Sequence, residues 1–209
     1  MGIENFLAFL LTALFFVMTP GLDTVFILNK SITQGRKAGF YASLGINSGV
    51  LVHTVFAALG LSILIAQSAM AFSLIKYLGA AYLIYLGISN FISKKEKSMG
   101  KPSVVGKPSK KQSFIAGLVT NTFNPKVALF FLAFFPQFIN PNELKNPIPF
   151  VLLGVSYAII GVVWCLTLTY FSGTLSKKLM ANPKANGWID IIAGVVFIAM
   201  GLTVALDKS

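Results

Sequence analysis

Long apolar runs separated by short lysine-rich segments dominate the chain. A helix needs about 20 apolar residues to cross a bilayer. The first such run extends from Asn5 to Asn29 and is interrupted by Asp23. From Gly39 to Ile75 there is no formal charge, only His53. At about 1.5 Å per residue that stretch would be roughly 55 Å of helix, too long for one span. Continued to Ser93, it divides into two helices with a tight turn near Ala66 to Ala71. Lys76 then lies close to an interface, where its stem can snorkel. A fourth run covers Ser113 to Phe138 with Lys126 in its middle. A fifth, opened by Pro147 and Pro149, reaches Phe171, and a sixth covers Trp188 to Leu206. The pattern predicts an all-α, polytopic membrane protein with six transmembrane helices.

Composition agrees. The chain of 209 residues is 56% hydrophobic and only 11% charged, against about 25% charged in soluble domains. Helices are the simplest spanning solution, because lipid leaves every backbone N–H and C=O in need of an internal partner; the alternating ten-residue pattern of an outer-membrane barrel is absent. Glu4 stands where a cleavable signal would be positive, so the first run is expected to be a retained helix. Cys165 is the single cysteine, which leaves no internal disulfide and no CxxC pair.

The net charge of +11 changes the picture only through its distribution. Lys30, Arg36 and Lys37 lie between runs 1 and 2. Lys94, Lys95, Lys97, Lys101, Lys107, Lys110 and Lys111 lie between runs 3 and 4, and Lys177, Lys178 and Lys184 between runs 5 and 6. The other side has Lys145 and Lys208. These are cytoplasmic loops beside anionic lipid rather than a nucleic-acid face, and both termini are expected outside. The stretch 94–112, with its glycines and prolines, reads as a cytoplasmic linker between two halves, 1–93 and 113–209, within one transmembrane domain. Three helices per half means that the halves are inverted relative to each other. Two further features fit a repeat. Ala80–Ile88 resembles Gly194–Leu202, and the first helix of each half has a proline beside an ionisable residue: Thr19-Pro20-Gly21-Leu22-Asp23 and Phe123-Asn124-Pro125-Lys126.

Proline in a helix frees backbone groups, and in a membrane these are tolerated only where protein or a wet cavity satisfies them. Breaks at matching positions of two halves point to a transporter's substrate site; an ordinary kink is the structural alternative. Asp23 and Lys126 are the ionisable residues best placed inside the spans, where each is costly unless paired or hydrated. They could meet the ammonium and carboxylate of an amino acid, or form an internal ion pair joining the halves. Asp23 could also be solvated near a helix end. In run 2, Gly45 and Gly49 form a close-approach spacing. His53 falls one turn further on the same face, as a proton carrier or a packing histidine, while Asn47 lies on another face with Thr54. Asn124 could satisfy backbone freed by Pro125. Enzyme motifs are missing: there is no H-E-x-x-H, G-x-S-x-G, P-loop or GxGxxG. No catalytic residue, metal site or cofactor is expected.

With these residues in hand, the chain resembles the LysE/RhtB family of bacterial amino-acid exporters. The likeness runs through Thr19-Pro20-Gly21, Asp23-Thr24, Gly35-Arg36-Lys37-Ala38-Gly39, Leu44-Gly45-Ile46, Gly49, His53, Leu59-Gly60-Leu61, Lys76 to Gly87, Asn124-Pro125-Lys126 and Phe135-Pro136-Gln137-Phe138. It departs at Leu22, where the family usually has a second proline. The resemblance implies export of an amino acid or similar metabolite across the cytoplasmic (inner) membrane, driven by the proton motive force. Asp23, Lys126, Asn124, Asn47 and His53 would bind substrate or couple protons, and Pro20, Gly21 and Pro125 would open the helices. A membrane interaction or scaffold protein, an inorganic-ion exporter and a passive channel are the alternatives. Assembly into a homo-oligomer is left open.

Overall fold

Proline and small residues decide where the helices start, bend and touch. In the computed structural model, residues 2–61, 69–92 and 109–181 and most of 191–206 are described, and the described residues are helical apart from caps, turns and one isolated β-bridge. α1 spans Phe6–Met18 and α2 spans Leu22–Gln34. α3 covers Arg36–Phe56 and runs on into a wide π turn, Ala57–Leu61. α4 is Ala69–Ile92, α5 Lys110–Thr122, α6 Pro125–Ala133 and α7 Pro147–Ala181. The C-terminal α8 includes Phe197–Leu206.

Among the described residues, the stretches Arg36–Gly60 and Pro147–Gly173 are each long and apolar enough to cross a membrane. The pairs α1–α2 and α5–α6 each serve as one further span if the bent pair is taken together, giving up to four. The bends are nearly equal, 52° and 51°. Both fall at the expected prolines, so Leu22 in place of a second proline does not prevent the first.

Several boundaries differ from the sequence reading. The first run extends to Gln34 rather than Asn29, and the fifth to Ala181 rather than Phe171. The fourth starts at Lys110, inside the expected linker, because Ser109 and Gln112 form a capping box, each side chain bonding the other's backbone N–H. The rest of that linker, 94–108, and the turn at 66–68 lie outside the described residues. Lys76, expected at an interface, is 6% exposed. Gly79, one turn on, packs α4 against Ala133 of α6, which draws this stretch of α4 into the bundle.

Close approaches hold the helices together, as expected where lipid supplies little hydrophobic drive between them. A Cβ at Gly45 would collide with the Phe114 carbonyl of α5, and one at Gly117 with the Ala42 carbonyl of α3. The α3 face carrying Gly45 and Gly49 therefore seats α5, as the spacing predicts. Thr54 and Asn47, on the other face, press against Gly154 and Gly161 of α7. In the same way Gly87 of α4 meets Gly194 and Ile198, while Gly201 of α8 meets Ala80 and Ile84. Phe9, Phe16, Phe130, Phe131, Phe135 and Tyr157 fill the space between α1, α6 and α7. Leu7, Leu11, Met70 and Phe123 remain on the outside.

The two ends of the bundle differ in charge. Arg36 lies over the Tyr170 ring at 5.0 Å and Lys110 over Tyr41 at 5.6 Å, so residues from two basic loops share one end. At the other end Ile3 pairs with Ile139 in an antiparallel bridge, and Asn140 Nδ2 donates to Glu4 Oε1 at 2.7 Å.

Gly117→Ala is expected to force α3 and α5 apart and cost about 1–3 kcal/mol, read as a lower Tm in detergent. Gly173→Ala, with no described residue within 4 Å of its new Cβ, is expected to leave Tm unchanged or slightly higher.

Candidate functional site

The two breaks place helix ends in the middle of the bundle. α2 begins just after Pro20-Gly21, with Asp23 in its first turn. A carboxylate there faces the positive end of the helix dipole. α6 begins at Pro125, where proline's missing N–H is harmless. Asn124 caps it, its Oδ1 accepting from the Lys126 N–H at 3.1 Å. That is the local role expected of Asn124.

Asp23 does not pair with Lys126. Its Oδ2 accepts from Asn121 Nδ2 of α5 at 2.8 Å, and its Oδ1 is buried without a partner among the described residues. Lys126 Nζ instead donates to two backbone carbonyls of the first break, Phe16 O at 3.1 Å and Thr19 O at 2.9 Å. Its ammonium also lies 4.5 Å from the Phe16 ring centroid and 5.3 Å from that of Phe197. The internal ion pair considered from sequence is thus replaced by a lysine that caps a helix C-terminus.

A cavity of about 30 Å³ lies beside Asp23, lined from α1, α2, α3, α5 and α7. Asn47, Asn121, Tyr157, Trp164 and Cys165 supply its polar wall, and Val17, Ile46, Val50 and Leu168 much of the apolar one. Asn47 Nδ2 donates to the Ser43 carbonyl at 2.8 Å, which leaves its Oδ1 unbonded; Asn121 Oδ1 is likewise unbonded, as is Trp164 Nε1. Three oxygen acceptors and one N–H donor are therefore buried in cavity-lining residues without a partner among the described residues. Buried polar atoms are normally bonded, so such a concentration around one cavity is unusual. Lys126, His53 and Asn124 do not line the cavity.

His53 sits on the α3 face that receives α5, as its register with Gly49 implies. Its Nε2 lies 3.1 Å from the Asn121 carbonyl, and its ring is 5.7 Å from that of Phe131. Of the expected residues, the structure brings Asp23 and Asn47 to one cavity and sends Lys126 and His53 to the two broken helix ends. Tyr157, Trp164 and Gly161 on α7 were missed, because this stretch has the apolar pattern of any span and no break marks it. Asn121 was visible as an intramembrane amide one turn before Pro125, the signal that could have found it.

The chain matches the LysE type translocator family over residues 14–208. It is 36% identical to the uncharacterized membrane protein YrhP of Bacillus subtilis, over 98% of this chain and all of the relative. An uncharacterized membrane protein of Vibrio cholerae is 31% identical over the full length of both chains. The leucine efflux protein of Klebsiella pneumoniae is 28% identical over all of this chain and 98% of the relative. No solved structure matches. With the likeness running through both bent helix pairs and the helices that enclose the cavity, this multi-pass membrane protein belongs to the LysE type translocator family.

Proposed function

We propose that the protein is a secondary exporter of an amino acid or amino-acid-like metabolite across the bacterial cytoplasmic membrane, with the Asp23 cavity as its substrate site. The observation that carries this reading is the set of unbonded acceptors Asp23 Oδ1, Asn47 Oδ1 and Asn121 Oδ1 in residues of one cavity. A primary ammonium has three N–H donors and a charge that Asp23 complements. Trp164 Nε1 would donate to the substrate carboxylate, a role for which Lys126, held by two carbonyls away from the cavity wall, is out of place. Val17, Ile46, Val50 and Leu168 suit an aliphatic side chain, in keeping with a relative named as a leucine efflux protein.

A cavity of about 30 Å³ holds one or two waters, far less than an amino acid. The arrangement is therefore a closed one, and substrate enters only if the halves move. Alternating access between two inverted three-helix halves, six spans in all, supplies that motion. Its support is the matched bends of 52° and 51° and the reciprocal packing of Gly87 and Gly201. A displacement of the Ala80–Ile88 segment onto Gly194–Leu202 exchanges these two glycine contacts, as a pseudo-twofold axis would. Basic loops inside and both termini outside follow from lysine placement. Coupling to protons, through Asp23 or His53, completes the proposal.

Counterflow in proteoliposomes against a panel of amino acids, with and without a pH gradient, tests it. Uptake of one or more aliphatic amino acids, enhanced by the gradient, is expected; no exchange with any member of the panel overturns the reading. Asp23→Asn is expected to weaken apparent affinity by about 10–100-fold, the loss of one charge-assisted contact, with normal membrane levels. Wild-type transport by that variant removes Asp23 from the site. Gly161→Ala, whose Cβ would press on Asn47 Oδ1, is expected to weaken apparent affinity by about tenfold while the protein still folds.

A further inference from the structure

Helix register states which carbonyl each proline orphans. In an α-helix the N–H of residue i bonds the C=O of residue i−4, and proline has no N–H. By that register Pro20 has no N–H for the Phe16 carbonyl and Pro125 none for that of Asn121, carbonyls in the last turns of α1 and α5. Both carbonyls are taken up by an ionisable side chain from the opposite half. Lys126, of the second half, donates to Phe16 O at 3.1 Å. His53, of the first half, lies 3.1 Å by Nε2 from Asn121 O. The Thr19 N–H is used on Phe15 O at 3.0 Å and does not serve Phe16. Asn121 O also receives the Asn124 N–H at 2.9 Å, so His53 adds a second bond where Lys126 supplies the first.

We infer that Lys126 and His53 are reciprocal positioning residues, each bonding across the two halves a carbonyl at the end of the other half's broken helix: Lys126 supplies the bond missing at Phe16 O, and His53 adds a second bond at Asn121 O. Each break is then bonded from the other half: the first at Phe16 O by Lys126, and the second at Asn121 O by His53, beside the Asn124 N–H of its own half. The surroundings are built for this. A Cβ at Gly21 would sit 3.5 Å from Lys126 Cδ and Nζ, so glycine keeps the lysine's path over the break open. Phe16 and Phe197 present ring faces to the ammonium, the favourable geometry for a cation away from water. For its bond His53 carries its proton on Nε2, the only arrangement that donates to a carbonyl. The part of the inference that concerns transport rests on the exporter reading: these bonds hold the site closed and are exchanged for others as it opens.

A double-mutant cycle read by Tm in detergent tests the pairing. Removing a buried ammonium has an energy of its own, so the quantity sought is the coupling rather than the single effect. Pro20→Ala restores an N–H to Phe16 O, and Pro125→Ala restores one to Asn121 O. Lys126→Met is expected to lower Tm by about 5 °C more in the native background than in Pro20→Ala, and equally in the native and Pro125→Ala backgrounds. His53→Phe should show a smaller coupling, with Pro125→Ala only. Where Lys126→Met fails to accumulate in the membrane, its recovery by Pro20→Ala and not by Pro125→Ala is the same result. Effects that simply add, or that couple to the wrong proline, overturn the inference.

Counterflow gives the second readout. Lys126→Met should lower the maximal rate with KM within about twofold, and Lys126→Arg should retain most of that rate, whereas Asp23→Asn raises KM. A raised KM with no coupling to Pro20 would make Lys126 a substrate ligand and end the proposal. Absence of wild-type counterflow would sink the exporter reading while leaving the Tm cycle to decide the pairing.

Discussion

Hydrocarbon gives a backbone carbonyl nothing to bond, so two prolines in mid-span oblige the rest of the molecule to supply what the helices lost. Each break produces a fresh C-terminus and a fresh N-terminus in the centre of the bundle. The C-terminal side of the first, at Phe16 and Thr19, receives the Lys126 ammonium. The C-terminal side of the second, at Asn121, receives His53. On the N-terminal sides stand a carboxylate, Asp23, and an amide cap, Asn124. The charges therefore match the ends they face: a cation at a carbonyl terminus and an anion at an N–H terminus. Polar residues that look extravagant in an apolar chain are placed where the breaks require them.

Small residues make this arrangement reachable. Gly45 and Gly117 let the backbones of α3 and α5 touch, which carries Asn121 to Asp23 and His53 to the Asn121 carbonyl. Gly154 and Gly161 do the same for α7 against α3, bringing Tyr157 and Trp164 to the cavity wall. The residues with spare acceptors surround a space too small for the proposed substrate, so the proposed binding requires movement. A bundle held by backbone contacts and by side-chain bonds between helices distant in sequence has few ways to move gradually. Exchange of one bonded arrangement for another is the natural mode.

The sequence by itself determined what depends on local pattern. Runs of apolar residues require helices, Pro20 and Pro125 require breaks, and Gly45, Gly49 and His53 share a face by register. Each of these follows from periodicity or from a missing N–H, and the breaks and the shared face are found at the expected residues. Tertiary structure decided the partners. Opposite charges made Asp23 and Lys126 look like a pair, yet burial makes hydrogen-bond supply the stronger demand, so Lys126 takes carbonyls and Asp23 takes Asn121. Lys76 lies in the bundle rather than at an interface because α4 packs on α6, which no run of residues in α4 announces. Tyr157 and Trp164 entered the cavity for the same reason: a helical pattern says which residues share a face, and only packing between distant segments says what that face meets.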